Sequence, residues 1–544
     1  MLRVFVRPGV VQEPYARRET ARARTERPRR YPGPIQAPDR SGKPKAQSGQ
    51  ARRRGVEPGH SACEAAEQGR GNPAAEVVEG RLVTKENIVE SNTRPTQSGE
   101  RVTQGLQGVR ERARRNKQER FTALLHHVTP ALLRESFYAL KREAAPGVDG
   151  VTWQEYATGL EDRLKDLHGR VHRGAYRAQP SKRRWIPKAN GQQRPLGIAA
   201  LEDKIVQQAV VRILNEIYEE DFRGFSYGFR PGRGQHMALD ALYVAIKRKR
   251  VNWILDLDLQ SFFDNIPHEK LVQQIEKRIA DPRILRLIQK WLKAGVMEDG
   301  VWSETEAGTP QGAVISPLLS NVYLHYVLDQ WTDQWRQAAR GEITIVRYAD
   351  DAIVGFERQD EAEGYLRELK EHLREYGLEL NEDKTRLIRF GRFARLNRAE
   401  RGEGKPEAFT FLGLQHICGS NRLGRFEVRR ITDGKRRRKK LQELKQELRW
   451  RMHAPIAQVG EWLRSVLRGY YQYHAVPGNL AALSRFRCQV AHLWFRTLSQ
   501  RSQRRPTWQK LGPVFDHWLP IPHVVHAYPD ARFDARRLRA SHPR

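Results

Sequence analysis

"IVRYADDAIVGFE" occupies residues 345–357 and sets two adjacent aspartates, Asp350 and Asp351, inside an otherwise apolar run. Arg347 aside, the flanking residues Ile345, Val346, Tyr348, Ile353, Val354 and Phe356 are β-branched or aromatic. Each half therefore reads as a buried strand, and the whole as strand–turn–strand. Asp tolerates turn geometry, so a plain hairpin is one account of the pair. The other account is chemical: two carboxylates at a hairpin tip bind divalent cations. The elements on either side decide between them.

Upstream, "NWILDLD" (252–258) reads as a strand and "PHEKLVQQIEKRI" (267–279) as a helix. "SPLLSNVYLHYVLDQW" (316–331) carries Leu319, Val322, Tyr323, Tyr326 and Val327 at the i, i+3, i+4, i+7, i+8 spacing of a second helix. Downstream, "AEGYLRELKEHLREYG" (362–377) aligns Leu366, Leu369 and Leu373 on one face and stops at Gly377, and "RLIRF" (386–390) is a short strand. The order β-α-(α)-β-β-α-β is that of a ferredoxin-like split βαβ unit. In it the first strand lies beside the hairpin, so a carboxylate from "DLDLQSFFDNI" joins the two at the tip. Such a three-carboxylate cage suits Mg²⁺, a hard cation held by a few carboxylates and substrate phosphates. Two such ions about 4 Å apart would activate a 3′-hydroxyl and stabilise a leaving pyrophosphate.

Composition points the same way. The 544-residue chain is long enough for several domains, and its 97 Lys and Arg against 64 Asp and Glu leave a formal charge of +33. An excess of that size is the footprint of a polyanion binder. No long apolar segment or basic amphipathic anchor suggests a membrane partner. Cys63, Cys418 and Cys488 are far apart and form no CxxC pair, which argues against a zinc site or a disulfide framework and fits a reducing cytosol. The N-terminus lacks the apolar core of a signal peptide, so a soluble, cytoplasmic protein is expected.

Residues 1–115 are rich in Arg, Gly, Pro, Ser, Gln and Glu and read as a disordered basic tail. A helical hydrophobic pattern begins at Leu124, Leu132, Phe137 and Leu140. From about residue 430, "KRRRKKLQELKQELRWRM", "VGEWLRSVLRGYYQYHAV" and "NLAALSRFRCQVAHLWFRTLSQRSQRR" read as three basic helices with interspersed aromatics, a nucleic-acid-binding region. Its run 435–440 would meet RNA phosphates, while Tyr470, Tyr471 and Tyr473 either stack on bases or pack.

Seven segments, in order, carry a family resemblance. They are "RRWIPKANGQQRPLGIAALEDKIVQQAV", "SYGFRPGRGQHMAL", "ILDLDLQSFFDNI", "GTPQGAVISPLLSNVYLHYVLD", "RYADDAIVGF", "GLELNEDKTRLIRFG" and "FTFLGL". Together with the basic helices after them, and "HAYPDARF" (526–533), they resemble the blocks of a bacterial group II intron-encoded reverse transcriptase/maturase across residues 115–533. The resemblance implies an α+β fold: a right-hand polymerase with fingers (116–250), a ferredoxin-like palm (251–415) and an α-helical thumb/maturase region (416–544). It implies an RNA-directed DNA polymerase that copies intron RNA and assists its splicing, using two Mg²⁺ ions and dNTPs. The expected partners are group II intron RNA, an RNA template and a DNA primer or target, in a ribonucleoprotein near the nucleoid.

By the same resemblance the metal ligands are Asp258, Asp350 and Asp351 with the carbonyl of Leu259, leaving Asp256 and Asp264 structural. Lys188 and Arg194, flanking the "ANGQQ" turn, would clamp the triphosphate, Arg in a bidentate grip. Phe263 would exclude a 2′-hydroxyl, with Phe262 its rival, and Gln311 and Gly312 would meet the nucleotide and template. Lys384 corresponds to a lysine near the leaving pyrophosphate, a general acid. In "SYGFRPGRGQH", Arg230 and Arg233 would touch template or serve a structural turn. No paired cysteines follow "HAYPDARF", so a DNA endonuclease is not expected. A maturase with a decayed polymerase and a retron- or defence-type enzyme are the alternatives. The intact aspartates and "PQG" oppose the first, and the "RPLGI" and "SPLLSN" blocks with the basic helices oppose the second.

Overall fold

The computed structural model describes residues 97–187, 193–421, 423–501 and 506–534. Among them the strands are β1 (Ser181–Pro187), β2 (Gln193–Ile198), β3 (Trp253–Leu257), β4 (Val296–Glu298), β5 (Val301–Ser303), β6 (Ile343–Tyr348), β7 (Asp351–Phe356), β8 (Arg386–Arg389), β9 (Phe409–Phe411), β10 (Leu414–Ser420) and β11 (Phe426–Thr432). The sheet that matters most has the order β6-β7-β3-β8, with every pairing antiparallel. The first strand thus lies beside the hairpin, as the order of elements predicts.

Both faces of this sheet are covered. Leu255, Leu257, Ile345, Val354 and Phe356 enter one core; Ile254, Val346, Ile353 and Ile388 enter another. Side chains alternate between the faces along each strand, and because both are buried the strands read as continuous apolar runs. Helices Leu201–Asp221, His268–Glu276, Ser316–Leu324 and Gln359–Glu375 line the first face. Helix Gln235–Arg248 and the three-stranded sheet β11-β10-β9 line the second, through Leu239, Phe409, Leu414 and Val428. A second four-stranded sheet, β2-β1-β4-β5, carries the β1–β2 hairpin.

Two boundaries differ from expectation. The tail predicted to run to residue 115 is too long, because Gln97–Arg115 is a helix. Its buried residues include Leu106, Val109 and Ala113, set among Arg, Gln and Glu that obscure the pattern. The region predicted as helical from 416 instead completes β10 and β11, and its helices start at Gly434. Helices Gly434–Trp450, Ile456–His474, Leu480–Ser499 and Trp508–Trp518 then enclose a third core that includes Leu463, Phe486, Trp494 and Phe515. The last of them holds an internal Pro513, which hides it from a periodicity reading.

The tyrosines of this region pack. Tyr470 stacks on Phe486 at 3.9 Å, Tyr471 is buried and donates to Pro520 O, and Tyr473 donates to Leu412 O. The "HAYPDARF" segment is a clamp on helix Gln235–Arg248. Arg532 donates to Asp240 Oδ1 at 2.5 Å, Lys247 to Asp530 at 2.6 Å, and Arg248 to both oxygens of Asp534 at 2.9 and 2.6 Å.

Candidate active site

β6 and β7 pair down to Tyr348↔Asp351, so Ala349 and Asp350 alone make the turn. Ala349 has φ +56°, a left-handed conformation that is unfavourable for a residue with a Cβ. The tip is docked from the side by residues 225–228. Arg347 N donates to Phe225 O, Tyr227 N donates to Arg347 O, and a Cβ on Gly228 would stand 2.2 Å from Ala349 N. This stretch of "SYGFRPGRGQH" therefore serves the hairpin. Arg230 is buried, with a bidentate grip on Glu219 and bonds to the carbonyls of Arg223 and Ser226, so its role is structural.

On the neighbouring strand, Leu257 pairs with Ala352. One position further along the two strands come Asp258 and Asp351. Burial pushes the Asp256 carboxyl up to about 7, Arg386 opposes the rise, and Asp351 and Asp258 reinforce it. The charges of Asp351 and Asp258 thus reach Asp256 at this end of the sheet. Among the described residues no group of three or more His, Cys, Asp or Glu stands close enough to hold a metal ion. Asp258 Oδ2 instead accepts from Lys384 Nζ at 2.8 Å, so an ammonium neutralises it. Leu259 forms an isolated bridge with Leu380, and Asp258 O accepts from Asn381 N at 2.8 Å, tying the strand end to the Lys384 loop.

The second half of the site faces the β1–β2 hairpin. Arg194 Nε donates to Gln311 Oε1 at 2.5 Å, and Gln311 Nε2 donates to Asp264 Oδ1 at 2.7 Å. A polar chain therefore joins the hairpin, the "PQG" loop and the "FFD" turn, and Asp264 has a contact that sequence reasoning did not foresee. Gly312 has φ +111°, and a Cβ there would lie 2.6 Å from Gly197 O, so only glycine lets this loop meet β2. Phe262 is buried in the core, whereas Phe263 is only half-buried. Lys188 lies outside the described residues.

Arg347 is a buried cation whose partners the sequence pattern does not name. A lone cation in a run buried on both faces must have a partner, and that was the signal. Here the partners are Asp329 and Asn321, both buried.

Residues 186–416 match the family model described as reverse transcriptase (RNA-dependent DNA polymerase). The chain is similar to Protein YkfC of Escherichia coli, 34% identical over 317 residues, spanning 52% of this chain and 78% of that protein. It is similar to the group II intron-encoded protein LtrA of Lactococcus lactis subsp. cremoris, 37% identical over 225 residues, 40% of this chain and 37% of that one. A more distant likeness, 28% identical over 36% of the chain, is to the RNA-directed DNA polymerase from mobile element jockey of Drosophila funebris, of which 23% is covered.

Proposed function

We propose, for a chain that belongs to the reverse transcriptase (RNA-dependent DNA polymerase) family alongside group II intron-encoded proteins, that it copies intron RNA into DNA and assists that intron's splicing. The observation that carries the polymerase reading is the strand register: it brings Asp258 and the Asp350–Asp351 tip to the same end of paired strands. On this reading β3, β6, β7 and β8 belong to the palm (251–415), the β1–β2 hairpin to the fingers (116–250), and the helices from Gly434 onward to the thumb/maturase region.

Asp258, Asp350 and Asp351 offer the hard oxygen donors that suit Mg²⁺. These three would hold two ions, with the Leu259 carbonyl as a further ligand. The bound ions would supply a more nucleophilic 3′-hydroxyl and charge neutralisation at the leaving pyrophosphate. The chain's own groups do the rest. Arg194, oriented by Gln311, is a cation that would grip a triphosphate, with Lys188 at the other end of the "ANGQQ" segment in sequence. Phe263 would lie beneath the sugar, where its bulk meets a 2′-hydroxyl, and Gly312 keeps the loop close to the template path. Lys384, which donates to Asp258, would deliver a proton to the pyrophosphate as that group leaves.

The splicing role rests on charge. A net +33 and the exposed Lys435, Arg436, Arg438 and Lys439 on the Gly434–Trp450 helix suit structured RNA, held mainly through phosphates. Its partners would be the intron RNA, a template and a DNA primer. Among the described residues no helix is long and apolar enough to cross a membrane. The test is DNA synthesis from a primer annealed to RNA, with dNTPs and Mg²⁺; no extension by the purified protein would remove the polymerase half of the proposal.

A further inference from the structure

Arg347 sits one residue before the end of β6 with its side chain fully buried, as is that of Asp329. Its Nε and Nη2 donate to Asp329 Oδ1 and Oδ2 at 2.7 and 2.6 Å. Its Nη1 donates to Asn321 Oδ1 at 3.0 Å and to the carbonyl of Ala349 at 2.9 Å. Asn321 in turn donates to Gly228 O at 2.7 Å, and Gly228 is the residue pressed against Ala349. One guanidinium thus links a helix, the 225–228 loop and the turn that carries Asp350.

The helix is shaped for this. At their spacing in sequence, Asn321 and Asp329 would stand about 80° apart around a regular α-helix. The π-helical turn His325–Asp329 lies between them, and both residues reach the same guanidinium. Such turns are costly and recur at functional sites. A buried ion pair is a poor device for stability alone, since desolvation offsets its attraction. The strained element in reach of this one is Ala349, whose left-handed backbone has its carbonyl held by Arg347.

We propose that Arg347, oriented by Asp329 and Asn321, is a positioning residue that fixes the Ala349 turn and so the direction of the Asp350 and Asp351 carboxylates. Its consequence for catalysis rests on the polymerase reading above. The alternative is an ion pair that only holds the fold together.

The Arg347→Met/Asp329→Leu double substitution separates the two. It replaces the pair by apolar side chains of similar size, an exchange that buried pairs often tolerate, yet it releases the Ala349 carbonyl. Three readouts are needed: thermal melting, primer extension on RNA with dNTP varied, and Mn²⁺ binding followed by the electron paramagnetic resonance of the free ion. The expected result is a cooperative melt near that of the unsubstituted protein, weaker Mn²⁺ binding, an unchanged KM for dNTP, and kcat lower by roughly 100-fold, the scale of a 1 Å misplacement. Undiminished kcat and Mn²⁺ affinity in the folded double variant would overturn the inference. If that variant does not melt cooperatively, Arg347→Lys takes its place, because a single ammonium cannot hold Asp329 in two bonds and the Ala349 carbonyl as well. The same losses are expected, and undiminished values again overturn the proposal. A wild-type protein that extends no primer would count against the polymerase reading, and Mn²⁺ affinity would still decide this one.

Discussion

Gly228 and Ala349 are in backbone contact: a Cβ added to Gly228 would stand 2.2 Å from the Ala349 nitrogen and 2.9 Å from the Tyr348 carbonyl carbon. Neither atom belongs to a flexible side chain, so only a shift of the hairpin tip or of the 225–228 loop can relieve the clash. Gly228→Ala should cost about 1–3 kcal/mol of stability, the range for overpacking, and should reduce primer extension more than that loss explains. Melting and extension measured on one preparation check this. Full activity would mean that the tip tolerates displacement.

Phe262 and Phe263 are adjacent but differ in burial, and that difference should separate their effects. Phe262→Ala is expected to destabilise the protein by about 3–5 kcal/mol, as core aromatic truncations do. Phe263→Val should leave the fold largely intact and raise incorporation of ribonucleotides relative to deoxyribonucleotides. Competition between dNTP and rNTP on one template measures it. An unchanged preference in Phe263→Val would sink the assignment.

The Gln97–Arg115 helix changes where the chain can be shortened. A protein beginning at Gln97 should extend primers. One beginning at Asn116 loses the burial of Leu106 and Val109, about 1.5–3 kcal/mol each, and the Ala113 carbonyl that accepts from Arg278. It should melt earlier or fail to accumulate. Equal melting of the two truncations would show that this helix contributes nothing to stability.

His416 should impose an acid limit. Its ring stacks on Phe409 at 4.8 Å, it bonds Leu414 O through Nδ1, and its Nε2 is buried with no hydrogen-bond partner. Burial first, then the charge of Arg430, lowers its pKa from 6.5 to about 3. A folded-state value below the unfolded one means that its contribution is full above pH 6.5 and is lost as pH falls toward 3. Melting temperature should drop through that window, and less steeply in His416→Phe, which cannot take up the proton. Parallel curves for the two proteins would contradict this assignment.

RNA binding should respond to charge on the Gly434–Trp450 helix. Lys435, Arg438 and Lys439 are exposed, whereas Arg437 is half-buried and Lys440 pairs with Glu443. Neutralising Lys435, Arg438 and Lys439 should flatten the dependence of log affinity on log salt by about 2–3 units if each contacts one phosphate. Assisted splicing should weaken, with little change in extension on a short unstructured template. An unaltered salt slope would remove this helix from the RNA surface.

Legibility in the sequence followed the periodicity. β3, the β6–β7 hairpin and the helices 316–331 and 362–377 stand where apolar spacing put them, because each buries a regular face. The Gln97–Arg115 helix escaped because its apolar residues lie among many Arg, Gln and Glu, and β10–β11 because the end of Leu414–Ser420 is half-buried without a clean alternation. In the site, the carboxylates and the two phenylalanines were readable as residue types in ordered blocks. What joins them was not. The Arg194–Gln311–Asp264 chain, the Lys384–Asp258 pair and the Arg347 hub all link residues distant in sequence, and no local pattern encodes such pairs. "HAYPDARF" is legible as a motif, but its mechanism lies in tertiary contacts: its Arg532 meets Asp240, and its Asp530 meets Lys247 and Arg248.

The most direct measurement of the central claim is primer extension on an RNA template by the unsubstituted protein and by Asp350→Asn, with melting curves and intron splicing recorded alongside. Asp350→Asn should melt near the unsubstituted protein, because Asn has the shape of Asp and the tip is also held by Arg347 and Gly228. It should still assist splicing at fixed, near-physiological Mg²⁺, and its extension should fall to background. Extension by Asp350→Asn at a rate near that of the unsubstituted protein would contradict the account.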